Sequence, residues 1–506
     1  MERESSLQYF SPFPFAGLRD MREVESELLK PCGRFHSPLR FDERLREKVS
    51  SMFRSWSMVD DYTVMTASNI PLQWQVLLSY LQQKNISRDA KFRELSFRND
   101  RPKVCALVVD AVSGVEHTDG RDVARRGFGA GATLEETMSK AIGELLERHL
   151  LTVYRRGELR TANYRALIDA DQDALDVTQL NSYERHQASW SDGDIREKQF
   201  NWVRGTNMIT GGRAYIPAQL VFWNYSPDQA IEEIALADTT TSGSGGHFTR
   251  EEAILSALSE AIQRDGFFMY WLNSIAPRRL DVARLESPEL SRLLGYAARY
   301  GISAYFLNTT SDIKVPSVTC VLVDETGKEP MLAVGAGTGF NVEQCLVASI
   351  REALSVSMDA AKFPAYSLPD RYVPFSGKKI GRTERLALWR GRRMLDDFSF
   401  FLKGELQDPR ELVVSTAPTS PREELQAALR ELAALGKGYE PYIYDVDHEV
   451  LDTLGYHVVR AVVPKLFPLY LNESMATLDS ERLRSVPGKL GYASAKVLNP
   501  LPHPFP

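Results

Sequence analysis

An α+β fold is what this 506-residue sequence predicts, and two observations carry that expectation. From "KVCALVVDAV", beginning at Lys103, short β-rich runs alternate with glycine-rich segments and long helical stretches. Three later segments, "GFGAGATLEETMSKAIGELLER", "GSGGHFTREEAILSALSEAIQR" and "GAGTGFNVEQCLVASIREALS", share one theme. In each, a polar residue (Thr133, Thr249, Asn341) stands eleven positions before a glutamate (Glu144, Glu260, Glu352). Equal spacing in three places predicts three internal repeats, each a glycine-rich turn leading into a capped helix, packed on β-sheets.

The flanking elements follow in chain order. Residues 1–95 read as an N-terminal extension of unknown role, rich in Arg and aromatics, with one amphipathic helix at "LQWQVLLSYLQQ". Residues 96–506 read as the main domain, and residues 500–506 as a proline-rich tail. At roughly 100–200 residues per domain the length allows two to four packing units. Lys and Arg total 61 against 67 Asp and Glu, so the net charge of -6 gives no reason to expect a nucleic-acid or membrane-surface partner. Cys32, Cys105, Cys320 and Cys345 are too scattered for a disulfide framework or a zinc site. The N-terminus lacks the apolar core of a secretory signal, and no apolar run is long enough to cross a bilayer, so a cytoplasmic location is expected.

The caps have a direct physical basis. Thr133, Thr249 and Asn341 are followed three residues later by Glu136, Glu252 and Gln344, the capping-box spacing that satisfies orphan helix amides. "SPREELQAALRELAALG" signals a further helix, with Ser420 as cap, Pro421 in the first turn, Glu423 completing the box and Gly436 as the stop.

Charged residues mark the helices of the repeats. On the second, Glu252, Ser256, Glu260 and Arg264 recur every four residues opposite Ile254, Ala257, Leu258 and Ala261; on the first, Glu144, Glu147 and Arg148 share one turn. One such stripe reads as a water-facing surface held by pairs worth about 0.2–0.5 kcal/mol each. Three from one repeated unit can instead bring carboxylates together, which only cations make tolerable. Magnesium carrying a polyphosphate fits that need, with Arg148 and Arg264 as phosphate partners. Gly127, Gly129, Gly131, Gly243, Gly245 and Gly246 are open to either an anion-cradling or a purely structural role.

"GELLERHL", "TTSGSGGHFTREEAILSALSEAIQRD", "TSDIKVPSV", "GAGTGFNVEQ", "YHVVRAVVPKL" and the closing "PLPHPFP" together resemble the YcaO superfamily, in particular its azoline-forming cyclodehydratases of the D-protein type, over about residues 100–506. The resemblance implies ATP- and Mg²⁺-dependent cyclodehydration of Cys, Ser or Thr in a ribosomally made precursor peptide, giving thiazoline or oxazoline through phosphorylation of the backbone amide oxygen. It implies nucleotide contacts at Glu144, Glu147, Arg148, Glu252, Ser256, Glu260, Gln263 and Arg264, and Mg²⁺ ligands at Glu144, Glu147, Glu252, Glu260 and Glu352. The sequence departs from the family pattern at Lys140, Gly245, Ser256, Gln263, Gln344 and Ala348, with Glu343 or Arg351 as compensating residues.

The tail "NPLPHPFP" alternates prolines, which keep a chain extended and lower the entropy cost of reaching a distant pocket. The resemblance implies that it enters the active site, where the terminal carboxylate of Pro506 assists proton transfer; composition alone suggests a disordered end or a ligand for a partner's aromatic groove. His503 and His247 read as incidental. "SGKKIGRTERLALWRGRR" is a solvated face or a docking surface for a partner or acidic leader.

The resemblance further implies a multi-protein complex with a ubiquitin-activating-enzyme-like or leader-recognising partner, and an accompanying flavin-dependent azoline dehydrogenase. Two other readings stay open: a non-catalytic scaffold, and an ATP-dependent enzyme forming thioamides or amidines.

Overall fold

The computed structural model describes residues 126–131, 134–181 and 194–506, apart from positions 325, 327–329, 362, 364–365, 369–371, 377–379 and 414–417, together with the backbone of two earlier strands. It is a mixed helix and strand fold with three sheets. The first is antiparallel, in the order β1 (Asp89–Glu94), β2 (Cys105–Val112), β3 (Arg126–Gly131).

The second sheet joins β4 (Arg160–Ala162), β5 (Phe200–Asn207), β6 (Arg213–Pro217), β7 (Ser244–His247), β13 (Tyr442–Asp445) and β14 (His457–Val462). Its order is β4-β5-β13-β14-β7, with β6 on β5. The third runs β11-β10-β9-β8-β12, from Leu332–Thr338 (β11) through Ser317–Asp324 (β10), Ile302–Asn308 (β9) and Arg279–Leu280 (β8) to Leu406–Gln407 (β12).

Each sheet presents one glycine-bearing strand to a long helix. Helix α1 (Leu134–Leu150) lies on β3, α2 (Arg250–Leu272) on β7 and β14, and α3 (Val342–Ala360) on β11. Most of the glycines expected in turns, among them Gly127, Gly129, Gly131, Gly245 and Gly246, lie inside these strands, whereas Gly243 keeps its turn with φ +88°. The reason is packing: a Cβ on Gly129 would sit 2.1 Å from the Thr137 carbonyl oxygen, one on Gly245 2.2 Å from that of Ala253, and one on Gly337 2.3 Å from that of Cys345. Helix backbone rests directly on strand backbone, and only glycine leaves room.

The helix starts behave as local chemistry dictates. Thr249 accepts from the Glu252 amide, Asn341 from that of Gln344 at 3.1 Å, and Ser420 from that of Glu423 at the head of Pro421–Ala434. Gly436 follows with φ +89°. Thr133 and the expected helix at residues 72–83 lie outside the described residues.

The C-terminal half of α2 is the centre of the core. Phe267, Phe268, Met269, Trp271 and Leu272 are buried there against Phe398, Phe401, Phe467, Tyr470 and, from the tail, Phe505. Among the described residues no helix is long and apolar enough to cross a membrane.

Candidate functional site

Three glutamates, one from each strand-supported helix, make the same kind of contact. Glu144 on α1 accepts from the Phe128 amide, Glu260 on α2 from the Gly243 amide at 3.0 Å, and Glu352 on α3 from the Ala336 amide at 2.7 Å. An amide in or just before the strand thus gains an acceptor, and each carboxylate is held in place.

Glu147, one turn beyond Glu144, joins them from the other side: its Oε2 accepts from Ser244 Oγ at 3.1 Å, tying α1 to β7. Two arginines answer the charge. Arg148 reaches Glu144 at 2.5 Å, and Arg264 reaches Glu260 at 3.3 Å.

The electrostatics show that these groups share one field. Loss of water pushes the Glu147 carboxyl up to about 8, reinforced by Glu144 and Glu260 and opposed by Ser244 and Arg148. Burial likewise raises Glu352, with Arg264 opposing and Glu260 and Glu144 adding to the rise. Glu147 and Glu352 therefore sit where the charged form is disfavoured. A bound cation would relieve that penalty, so the donor set fits Mg²⁺ with a polyphosphate, which needs only one or two carboxylates alongside phosphate and water ligands. Among the described residues no three His, Cys, Asp or Glu side chains are arranged to hold an ion by themselves.

Other predicted residues are placed differently. Glu252 stays at the head of α2, bound to Thr249 and 2.8 Å from His247 Nδ1. Ser256 is exposed, whereas Gln263 is buried. Lys140 pairs with Glu136 at 2.7 Å, and Arg351, a suggested compensating residue, is committed to Glu136 at 2.9 Å and to Glu289. The basic segment expected as a solvated or docking face turns inward at Arg385, which is fully buried and 2.6 Å from Glu473. His503 is buried as well, its Nε2 2.6 Å from the Tyr470 carbonyl oxygen. It is an anchor of the fold.

The tail reaches the cluster. Phe505 is fully buried, and the Arg264 guanidinium lies 4.2 Å from its ring centroid; Pro506 is half-buried beside it in sequence.

Sequence reasoning missed Arg460 and Ser244. Arg460 donates to the Leu220 carbonyl oxygen at 3.2 Å, and burial pulls its guanidinium down to about 10 against the pull of Glu260. With Arg264 it lines a cavity of about 100 Å³ bounded by Asp238, Thr240, Ser242 and Phe467. Its signal was a single charge inside the apolar strand "YHVVRAVV". Ser244 carried none, because its partner is 97 residues away.

Helices seated on glycine strands gather carboxylates and arginines where they meet, a donor set that fits a metal-bound polyphosphate. The chain belongs to the YcaO cyclodehydratase family: the family model described as "YcaO cyclodehydratase, ATP-ad Mg2+-binding" matches residues 128–467. By that family its cofactors are ATP and Mg²⁺.

Among solved structures, the chain resembles "Heterocyclase in complex with substrate and Cofactor" at TM-score 0.62 and 18% identity, over 82% of this chain and 54% of that one. It resembles "The structure of YcaO from Methanopyrus kandleri bound with AMPPCP and Mg2+" at TM-score 0.55 and 17% identity, over 80% and 94%. A curated protein of Methanothermobacter thermautotrophicus (strain Delta H), described only as "Uncharacterized protein", is 25% identical over 225 residues, 44% of this chain and 55% of its own. The chain thus spans about half the length of that relative and of the heterocyclase. At these identities the solved structures establish the shared fold.

Proposed function

We propose that this protein is the azoline-forming cyclodehydratase of a peptide-modifying complex. The observation that carries the reading is the convergence of Glu144, Glu147, Glu260 and Glu352 with Arg148 and Arg264 beside the buried tail. In this reading the thiol or hydroxyl of Cys, Ser or Thr in a precursor peptide adds to the preceding amide carbon, and the amide oxygen takes the phosphoryl group of the co-substrate ATP. Loss of the nitrogen-bound proton and of phosphate then closes the C=N bond. Magnesium supplies charge neutralisation at the phosphates.

The chain's own residues position and neutralise. Glu144, Glu147, Glu260 and Glu352 would hold Mg²⁺, Arg148 and Arg264 would take phosphate oxygens, and the Pro506 carboxylate would accept the proton. Glu252, Ser256 and Gln263, also on α2, belong to the same proposed nucleotide-binding set. The equal eight-residue offset from Gly129, Gly245 and Gly337 to the carbonyls they face supports reading the three strand–helix units as internal repeats. A leader-recognising or ubiquitin-activating-enzyme-like partner and a flavin-dependent dehydrogenase complete the proposed assembly.

One observation favours a scaffold instead: Arg351 is locked in ion pairs and Ala348 offers no charge. Titration calorimetry with Mg-ATP separates the two. We expect binding by the wild-type chain and at least a tenfold loss with Glu147→Gln. Because burial already favours the protonated Glu147, that variant should stay within about 1 kcal/mol of wild-type stability. No binding by the wild type, alone or in the assembled complex, would leave the scaffold.

A further inference from the structure

The tail's composition sets a mechanical problem. Pro500, Pro502, Pro504 and Pro506 have no amide hydrogen, so the segment cannot lie inside a sheet, and in the structure it joins none. It is held instead by contacts of its side chains, carbonyl oxygens and remaining amides with the rest of the fold.

Besides the His503 ring on the Tyr470 carbonyl oxygen and the Tyr372 hydroxyl 3.5 Å from that of Pro500, two tethers stand out. Asn499 docks on the last turn of α2, its amide donating to the Leu272 carbonyl at 2.7 Å and its Nδ2 to that of Trp271 at 3.2 Å. Because α2 also carries Arg264, the start of the tail and the charged site are fixed to one rigid helix. The second tether is Arg385, whose Nη1 donates to the His503 carbonyl oxygen at 3.0 Å while its Nη2 holds Glu473 at 2.6 Å. Arg385 and both of these partners are buried. From there the chain runs past Pro504 to Phe505, whose ring packs 4.6 Å from that of Phe267 and under Arg264.

A buried guanidinium is costly, and an apolar side chain would fill the same space more cheaply. What an apolar side chain cannot do is donate to the carbonyl of a residue flanked by prolines. We infer that Arg385 is a positioning residue: held by Glu473, it clamps the backbone at His503 and so sets where Phe505 and Pro506 stand relative to Arg264. The inference deepens the tail's role proposed above and rests on it only for its effect on turnover.

The test is a double-mutant cycle on the full chain with two readouts: trimming of the C-terminus by a carboxypeptidase, followed by mass spectrometry, and Mg-ATP turnover measured as phosphate release. Arg385→Met should make the last three residues trimmable at least tenfold faster. It should also lower turnover to the level of a chain ending at Asn499, and should lower it no further when the tail is already absent. Arg385→Lys keeps the charge for Glu473 but loses the fork that also reaches His503, and should show the same trimming.

Should Arg385→Met fail to fold, Glu473→Gln loosens the same clamp and takes its place in the cycle. A tail that stays resistant in these variants overturns the inference, as does a loss of turnover that persists, undiminished, in the tail-less background. If the tail-less chain turns over Mg-ATP like the wild type, the tail's proposed role in catalysis fails, and the clamp stands or falls on the trimming result alone.

Discussion

Arg264 and Phe505, 241 positions apart in the sequence, stack with the guanidinium 4.2 Å from the ring centroid. Arg264 is buried, and its Nε and Nη1 have no hydrogen-bond partner, so the electron-rich face of Phe505 stands in for acceptors. The tail therefore completes the environment of an arginine that also pairs with Glu260.

Replacing Phe505 should uncouple the two. A desolvated cation–π contact is worth about 2 kcal/mol and a buried Phe→Ala change about 3–5 kcal/mol. Phe505→Ala should fall at the low end of that range, because the tail can peel away without unfolding the rest. Carboxypeptidase trimming and urea unfolding measured together would check it; a tail that stays protected would refute it.

The glycine strands make a sharper prediction. Gly129→Ala, Gly245→Ala and Gly337→Ala each drive a Cβ into a helix carbonyl that lies closer than 2.5 Å, and should each cost about 3 kcal/mol by thermal unfolding. Gly157→Ala meets nothing within 4 Å and should be nearly neutral. Equal effects at all four positions would rule out strand–helix contact as the cause.

Arg482 is the buried hub behind the site. It reaches Asp265 at 2.6 Å, Asp312 at 2.8 Å and Tyr439 at 3.1 Å, while Asp265 also accepts from the Phe467 amide at 2.9 Å. Arg482→Met leaves Asp265 without a charged partner, while Asp312 keeps Lys489 at 2.7 Å, and should cost about 3–5 kcal/mol in urea unfolding. Adding Asp265→Asn should restore part of it, since one uncompensated charge is then gone; an additive loss would count against the network.

His503 makes stability depend on pH. Burial, and then the nearby charge of Arg385, hold its imidazole well below the ordinary 6.5. Above that value both folded and unfolded chains carry it neutral, and its contribution is constant. As pH falls below about 6.5, the unfolded chain takes up a proton that the fold refuses, so stability drops, with a limiting slope of about 1.4 kcal/mol per pH unit from this group. Thermal unfolding of wild type and His503→Gln between pH 8 and 5.5 should show a shallower fall in the variant; parallel curves would mean that His503 titrates alike in both states.

Much of the helical framework was legible in the sequence. The caps at Thr249, Asn341 and Ser420 are satisfied within one turn, so their chemistry is readable from residues three apart. The glutamates eleven residues after the repeated caps follow equally, because a helix fixes its own periodicity. The glycines misled, since a residue that permits a turn also permits close strand–helix contact, and composition does not tell these apart.

What the sequence by itself determined, then, is local: where helices start, which face carries the carboxylates, and that an alternating-proline tail cannot sit inside a sheet. Only the tertiary structure decided that Ser244 would meet Glu147, that Arg460 would join Arg264 at one cavity, and that a basic stretch would send Arg385 inward to hold the tail. Those contacts join residues 97 or more positions apart. Their energies depend on burial and on the partner's position, and neither exists until the sheets and helices have packed.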